Sequence, residues 1–598
     1  MAWPYQFIHG DATVRHARRV LLDRYALYAQ VSPWVLILVV ALVRLARYAI
    51  SRWTTRSTTK PPQSTATPWV VAKLNRVSWW LGDPVEFAGW NLGCRDRLIF
   101  GGVWMAWLLF LCVNETGNDY FLITKKFGII GTSQLPLQYL LASKRVNPVA
   151  FVFRKSHEEV NRWHRALGWC YFLILLHGAF YLNYYIQVGG LTAALFRPVP
   201  ALGVLGLLGM TLLSTTALGV FRRYSYRIFY LTHLVVGLSL PVVIWFHVPH
   251  GRVYMAESLL VLLIDVSMRR FLCVKCPAAI ETVPGTSLIS VKATVPPAKI
   301  RQFANHPALH LYLSIPSRSR PGRDCLSPSN LALALTANPF TVAAVNEEAR
   351  ELTLVARQMK GPMTKALTKL ASLHAPDSTG RGTLRIDGPY GAAAHFPRWA
   401  TAAFDTVLLV AGGVGGTFVV PLYEQIVREV PAATTRVELV WVVRDASEAA
   451  CILPRSTSVE GTTVLDGDER KIRLFITGAK KEGSSSSSST SDSSRVSLEG
   501  LLEDGDDLEM DHLGLEKSGE GSRLLVADRN LKTKVEEQYV RPDLQEIVDG
   551  VFGQSRYHPR VAVVVCGPQQ MARDVRMAVG GWVWKGRDVW FHSEGFGW

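Results

Sequence analysis

The sequence predicts a multi-domain membrane protein, in which a transmembrane bundle of α-helices is followed by a soluble module joining an antiparallel β-barrel to an α/β lobe. Three observations carry that prediction. Long apolar runs fill the first 272 residues, two of those runs each bear two histidines, and beyond residue 275 the pattern shortens to strand-length segments and a glycine-rich turn. A chain of 598 residues exceeds a single compact domain, and 49 % hydrophobic content with mean hydropathy +0.15 is high for a soluble protein of that size. Much of the net charge of +17 lies beside the apolar runs rather than along one amphipathic face, so it reads as a topology signal and not as a nucleic-acid surface.

Apolar runs lie at about 33–50, 98–113, 127–142, 163–185, 200–220, 228–247 and 253–272, against the roughly 20 residues a helix needs to cross ~30 Å of hydrocarbon. Basic residues cluster in alternate connections. Arg52, Arg56, Lys60, Lys73, Arg76, Arg95 and Arg97 separate the first two runs, and Lys144, Arg145, Arg154, Lys155 and Arg162 the third and fourth. Arg222, Arg223 and Arg227 separate the fifth and sixth, and Arg269, Arg270 and Lys275 follow the seventh. Cytoplasmic loops carry such an excess, which puts the N-terminus outside and everything after residue 272 in the cytoplasm. The glycan-acceptor triplet Asn114-Glu115-Thr116 then falls outside. Lys125 and Lys126 fall there too, against the rule. Charged residues precede the first apolar stretch at Trp34, so no cleavable signal peptide is expected. Eight cysteines show no disulfide framework, and Cys273 with Cys276 lacks the second pair that a zinc site requires.

In this topology the fourth and sixth spans run the same way. His164 and His177 lie on one, His233 and His247 on the other, so parallel helices bring the first histidine of each level with the first of the other. Thirteen or fourteen residues at 1.5 Å rise separate the two levels by about 20 Å, a spacing suited to two stacked haems, each iron held by one imidazole from each helix. A lone intramembrane histidine is more often a helix-to-helix hydrogen-bonding residue, and His9, His157 and His250 are read as interfacial. Four at matched depth point to ligation. Thirteen residues at 3.6 per turn fall about 140° short of four turns, so His164 and His177 require local rewinding or tilted haems, with Gly168 between them as a place for it.

Past residue 275, SLISVKATV (287–295), LHLYLSIP (309–316) and ELTLVARQ (351–358) have the period and β-branched content of strands and predict a small antiparallel barrel. TVLLVAGGVGGTFVVPLYEQIV (406–427) predicts a buried strand, a turn at Gly412, Gly413, Gly415 and Gly416, and a helix that tolerates Pro421. Such glycines let backbone amides approach a phosphate at a helix N-terminus, and they serve strand-to-helix packing equally well. RVELVWVVRDA (436–446) and RVAVVVCGPQQM (560–571) add two strands to a parallel sheet. Residues 479–522, rich in serine and acid, predict a disordered surface insertion.

Several motifs stand in a recognisable order: LPLQYLLASKRVNPVAFVFRKSHEEVNRWHRALGW leading into the first histidine-bearing helix, then NPFT at 338–341, KGPMTKAL, DGPYG at 387–391, CGP at 566–568 and the terminal FHSEGFGW. Together they resemble the fungal ferric reductase branch of the ferric reductase and NADPH oxidase superfamily, over about residues 98–598 apart from the insertion. The resemblance implies a ferredoxin-reductase-like module after the di-haem bundle. By that pattern His164 and His233 hold the inner b-type haem, and His177 and His247 the outer. Asn338, Pro339, Phe340 and Thr341 occupy the place of the family's HPFT segment against FAD, with asparagine where the family has histidine. Gly361 and Thr364 resemble the turn at the flavin pyrophosphate. The turn from Gly412, Gly413, Gly415 and Gly416 to Thr417 is implied to receive the NADPH pyrophosphate, and Cys566, Gly567 and Pro568 to lie beside the nicotinamide. Phe596 is implied to cover the flavin ring. Arg444, following the strand ELVWVV, is the candidate for the 2′-phosphate, since a guanidinium binds it bidentately; a solvated strand-end arginine is the equal alternative.

The expected division is 1–97, one transmembrane helix and a cytoplasmic loop; 98–275, the di-haem domain; 276–400, the FAD barrel; and 401–598, the NADPH lobe with its insertion. The implied activity is an NADPH-dependent ferric-chelate reductase, a metalloreductase with FAD and two haems b. Its expected place is the plasma membrane, embedded in lipid, with internal membranes left open. Ferric or cupric chelates are the expected acceptors, and neither nucleic acid nor an obligate protein partner is expected. Dioxygen as acceptor, giving superoxide, and a non-enzymatic scaffold descended from a reductase remain as alternatives.

Overall fold

The computed structural model describes residues 4–57, 68–87, 90–320, 330, 333, 337–373, 382–401, 404–431, 434–453, 470–478, 534–553 and 560–595. The expected insertion at 479–522 and Phe596 lie outside the described residues. The chain divides into two compact units, Met1–Thr65 with Trp80–Phe271, and Ala66–Trp79 with Leu272–Trp598.

The first unit is helical. Its helices in order are α1 (Ala12–Ser57), α2 (Pro68–Gly82, shared with the second unit), α3 (Arg95–Val113), α4 (Tyr120–Ser133), α5 (Leu135–Ala142), α6 (Pro148–Phe153), α7 (His157–Leu167), α8 (Tyr171–Gln187), α9 (Leu191–Leu195), α10 (Pro198–Thr216), α11 (Gly219–Tyr224), α12 (Tyr226–His247) and α13 (Arg252–Leu272). Among the described residues five spans are long and apolar enough to cross a membrane: Ala12–Ala46, Arg95–Val113, His157–Gln187, Pro198–Thr216 and Tyr226–His247. Their outward faces carry exposed side chains such as Val103, Leu208 and Val235, as lipid-facing helices should. The apolar run expected at 127–142 is two helices. The first begins seven residues earlier, because the Asp119 side chain caps it by accepting from the amides of Phe121 and Leu122, and the second restarts after Gln134 with Pro136 in its first turn. The run at 253–272 is helical but falls outside the five spans.

Lys126 is fully buried rather than an exposed topology signal. Its ammonium lies 3.4 Å from the Tyr25 ring centroid and donates to the carbonyls of Leu111 and Asn114 at the C-terminal end of α3, where the helix dipole and unsatisfied carbonyls favour a cation. The acceptor triplet is also built into this corner. The Asn114 amide donates to the Tyr25 hydroxyl at 2.5 Å, and Thr116 is buried.

In the second unit six strands close a barrel in the order β3-β4-β7-β6-β5-β8, namely β3 (Val274–Thr282), β4 (Leu288–Thr294), β5 (His310–Ser314), β6 (Asn338–Asn346), β7 (Glu351–Arg357) and β8 (Gly382–Tyr390). All its pairings are antiparallel. A short hairpin, β1 (Pro84–Phe87) with β2 (Trp90–Cys94), precedes them in the first unit. After the barrel comes a six-stranded parallel sheet in the order β12-β11-β10-β9-β13-β14. Its strands are β9 (Thr406–Gly412), β10 (Arg436–Val443), β11 (Arg470–Ile476), β12 (Lys534–Gln538), β13 (Arg560–Cys566) and β14 (Asp588–Glu594). Strands β9 and β13 are continuously apolar because both faces of a parallel sheet are covered. Strand order reverses at β9 and β13, so the crevice beyond their C-terminal ends is the place where such sheets take ligands.

Candidate functional site

The four membrane histidines meet in pairs. His164 and His233 have ring centroids 6.0 Å apart, and His177 and His247 are 6.4 Å apart. Two metal–nitrogen bonds of about 2.0 Å, with ~1.1 Å from each ring nitrogen to its centroid, would separate opposed imidazoles by about 6.3 Å. Both pairs therefore leave room for one iron and too little for a further side chain. Between His164 and His177 the helix tightens into a 3₁₀ turn at Gly168–Cys170. Three steps of about 120° among ten of about 100° bring the two histidines to about 80° short of four turns instead of about 140°, so rewinding occurs where the spacing requires it.

Neighbouring helices orient these rings. Nδ1 of His164 donates to the Gln138 carbonyl at 3.0 Å, Nδ1 of His177 to Thr124 at 2.8 Å and Nδ1 of His247 to Val199 at 2.8 Å. A proton held at Nδ1 leaves Nε2 with the lone pair a metal takes. Nδ1 of His233 is buried without a hydrogen-bond partner among the described residues. Two glycines outside the motifs singled out in the sequence make space for His177 and His247. A Cβ on Gly128 would come within 2.7 Å of His177 Nδ1, and one on Gly203 within 2.7 Å of His247 Cε1. Their only sequence signal is a glycine in an apolar helix at a depth near a histidine.

The soluble unit gathers a second set. Val342 pairs with Leu354, so the start of β6 and the end of β7 share one end of the barrel. There Asn338 is exposed, Pro339 and Phe340 are half-buried and Thr341 is buried opposite His310. The loop after β7 leads to Gly361, which is exposed, and to Thr364, whose hydroxyl donates to the Met359 carbonyl at 2.8 Å and accepts from its amide at 3.2 Å. At the same end, Arg357 Nη2 reaches the Glu448 carboxylate at 3.1 and 3.2 Å, and a Cβ on Gly413 would lie 3.4 Å from that nitrogen. The barrel end and the glycine turn thus border one crevice.

The turn divides its labour. Gly412, Gly415 and Gly416 are packing positions: an added Cβ would meet Pro568 Cδ at 2.7 Å, the Cys566 carbonyl oxygen at 2.2 Å and the Trp441 ring at 2.3 Å, respectively. Gly413 has φ +51°, and its carbonyl accepts from the Trp441 indole at 3.0 Å. Thr417 is buried, with its hydroxyl donating to the Val414 carbonyl at 2.8 Å. Gly567 is close-packed, a Cβ there lying 3.0 Å from the Gly412 amide, and so the turn and the CGP segment are in direct contact. Burial pushes the Cys566 thiol well above its ordinary range, assisted by Glu594, its register partner on β14.

Arg444 ends β10 and lines a pocket of about 180 Å³ with Asp445, Ala446, Ile476, Gly478 and Tyr539. The Asp445 carboxylate is engaged with the amide and hydroxyl of Ser447, at 2.8 and 2.6 Å, and these bonds hold its pKa below the usual carboxylate range. The Arg444 guanidinium makes no hydrogen bond or ion pair among the described residues.

Residues 127–244 match the family model described as the ferric reductase like transmembrane component, and residues 404–580 match the ferric reductase NAD binding domain. The chain belongs to the ferric reductase family. The two matched segments contain three of the four paired histidines, the glycine turn and the CGP segment, while His247 lies just past the first. This ferric reductase is similar to "Probable metalloreductase AIM14" of Meyerozyma guilliermondii, with 23 % identity over 81 % of this chain and 86 % of that protein. It is also similar to the protein of the same name from Scheffersomyces stipitis, at 24 % over 88 % and 89 %. The "Ferric reductase transmembrane component 1" of Schizosaccharomyces pombe matches at 23 % over 56 % and 62 %. As a ferric reductase family member, the chain is a membrane oxidoreductase.

Proposed function

We propose that the chain takes electrons from cytoplasmic NADPH, through FAD and two b-type haems, to a ferric or cupric chelate outside the plasma membrane. The observation that carries this reading is the meeting of His164 with His233 and of His177 with His247 at separations that fit one iron each. When bound, the flavin takes the hydride of NADPH and the haems pass its electrons onward one at a time.

The residues supply position and charge. Arg444 would hold the 2′-phosphate that distinguishes NADPH from NADH, because the neighbouring Asp445 carboxylate is occupied by Ser447. Gly413 offers its backbone to the pyrophosphate at the switch point of the sheet. Cys566, whose thiol burial keeps protonated, would lie on the nicotinamide side. Asn338, Pro339, Phe340 and Thr341 would meet the flavin ring and ribityl chain, and Gly361 with Thr364 its pyrophosphate, as the barrel register brings them to one end. Phe596 would cover the flavin ring. In the membrane, His164 with His233 and His177 with His247 would each hold one haem iron, and ligation by two imidazoles would suit electron transfer rather than direct oxygen binding.

The test is an optical spectrum of the detergent-purified protein, titrated anaerobically with NADPH and then with ferric chelate. Reduced b-type bands that form with NADPH and bleach on adding iron are expected. Haem that NADPH never reduces would overturn the reading.

A further inference from the structure

Helix α2 has two unlike faces, and the proposed function uses neither. One face grips the nucleotide lobe. Trp79 packs edge-on against Phe591 of β14 with centroids 5.3 Å apart, and Arg576 lies 4.3 Å over the Trp79 ring while donating to its carbonyl at 2.9 Å. Asn75 donates to Asp588 at 3.1 Å, and a Cβ on Gly580 would come within 2.9 Å of the Trp79 indole nitrogen, so the lobe is shaped to receive this ring. The other face carries Trp69, Leu74 and Val77, exposed at 68 %, 62 % and 49 %. At about 100° per residue the two faces are centred roughly 170° apart round the helix.

Three exposed apolar side chains on one short helix need a partner other than water. The chain on either side of α2 enters the membrane, through the spans Ala12–Ala46 and Arg95–Val113. Only a short hairpin separates α2 from the second span in sequence, and it is closed by the Arg95 amide donating to the Asp83 carbonyl at 3.0 Å. Lys73 sits within the apolar face with its ammonium 5.0 Å over the Trp69 ring, and a lysine so placed can lay its stem along apolar surface while its charge reaches polar groups. Tryptophan beside lysine at a membrane helix end is the composition of the bilayer interface.

We propose that α2 is a membrane-surface strut: Trp69, Leu74 and Val77 lie in the headgroup layer of the bilayer, and Asn75 and Trp79 hold the nucleotide lobe by β14 and the helix Gln569–Trp584. Its partner is a lipid surface, favoured further by anionic headgroups that attract Lys73. The proposal requires that the chain span a membrane and is independent of which acceptor it reduces.

The test uses the full chain in nanodiscs of phosphatidylcholine and phosphatidylserine, with an environment-sensitive fluorophore on Val77→Cys, on Leu74→Cys or, as a reference, on Ser372→Cys at an exposed position of the helix Pro362–Leu373, read after subtracting the labelled wild-type signal. Blue-shifted emission quenched by lipids spin-labelled near the headgroup is expected at 77 and 74, with aqueous emission at 372. Emission at 77 and 74 as aqueous as at 372 would overturn the lipid contact. For the other face, Trp79→Ala is expected to raise amide exchange across Asp588–Glu594 about tenfold; unchanged exchange there would overturn the hold on the lobe.

Discussion

In the membrane unit a paired histidine is placed by one hydrogen bond and one close glycine: His177 has the Thr124 carbonyl and Gly128, and His247 has the Val199 carbonyl and Gly203. In the soluble unit the corresponding work falls to backbone packed against backbone, as Gly415 against Cys566 and Gly567 against Gly412. The difference follows from the surroundings. Lipid offers a helix no competing hydrogen bonds, so a single one to a neighbouring carbonyl fixes a ring. Water competes for every polar atom at a crevice, and there a loop keeps its shape by close packing in the core beneath it.

Substitutions in the membrane unit should therefore act on cofactor content, and those in the soluble unit on affinity or stability. The largest effect is expected for His247→Ala or Gly203→Val. Each should remove the outer haem, halving haem per protein in a pyridine haemochrome assay and abolishing NADPH-driven iron reduction. Next, Arg444→Ala should raise KM for NADPH roughly ten- to a hundredfold, the worth of hydrogen bonds to a charged group, with KM for NADH unchanged in steady-state assays. Gly415→Ala should cost the nucleotide lobe about 1–3 kcal/mol through overpacking on the Cys566 carbonyl, measured by denaturant unfolding, with the haem spectrum preserved.

The smallest effect concerns pH. The Cys566 thiol is raised above its ordinary value of 9.0 in the folded lobe. Above pH 9 the unfolded chain loses that proton and the folded chain keeps it, so stability falls with rising pH. A Cys566→Ala variant should lose less stability between pH 8 and pH 10 than the parent, and the parent thiol should resist alkylation until the lobe unfolds.

The two regions also differed in how far the sequence revealed them. Histidine spacing is a property of single segments, and it anticipated which rings lie close together and, as one of two ways to meet the mismatch, a rewinding near Gly168. The strands of the barrel and the parallel sheet were legible for the same reason, being local patterns of period and β-branching. Lys126 was misread because its burial depends on Tyr25 and the end of α3, which no local pattern brings together. Gly128 and Gly203 were missed because a glycine in an apolar helix has many uses, and only the neighbouring helix shows which one applies. Trp79 was passed over for a related reason: its partners Arg576, Gly580 and Phe591 lie some five hundred residues away in the chain.

The 3₁₀ turn at Gly168–Cys170 also changes length. Ten residues rising 1.5 Å and three rising 2.0 Å carry the chain about 21 Å from His164 to His177, and fourteen ordinary helical residues carry it about 21 Å from His233 to His247. Unequal counts thus give equal heights, and both rungs of the ladder can lie level across the bilayer. One residue inserted into either helix would tilt a single rung, so the thirteen and the fourteen are tied to one another more strictly than either is to the thickness of the membrane.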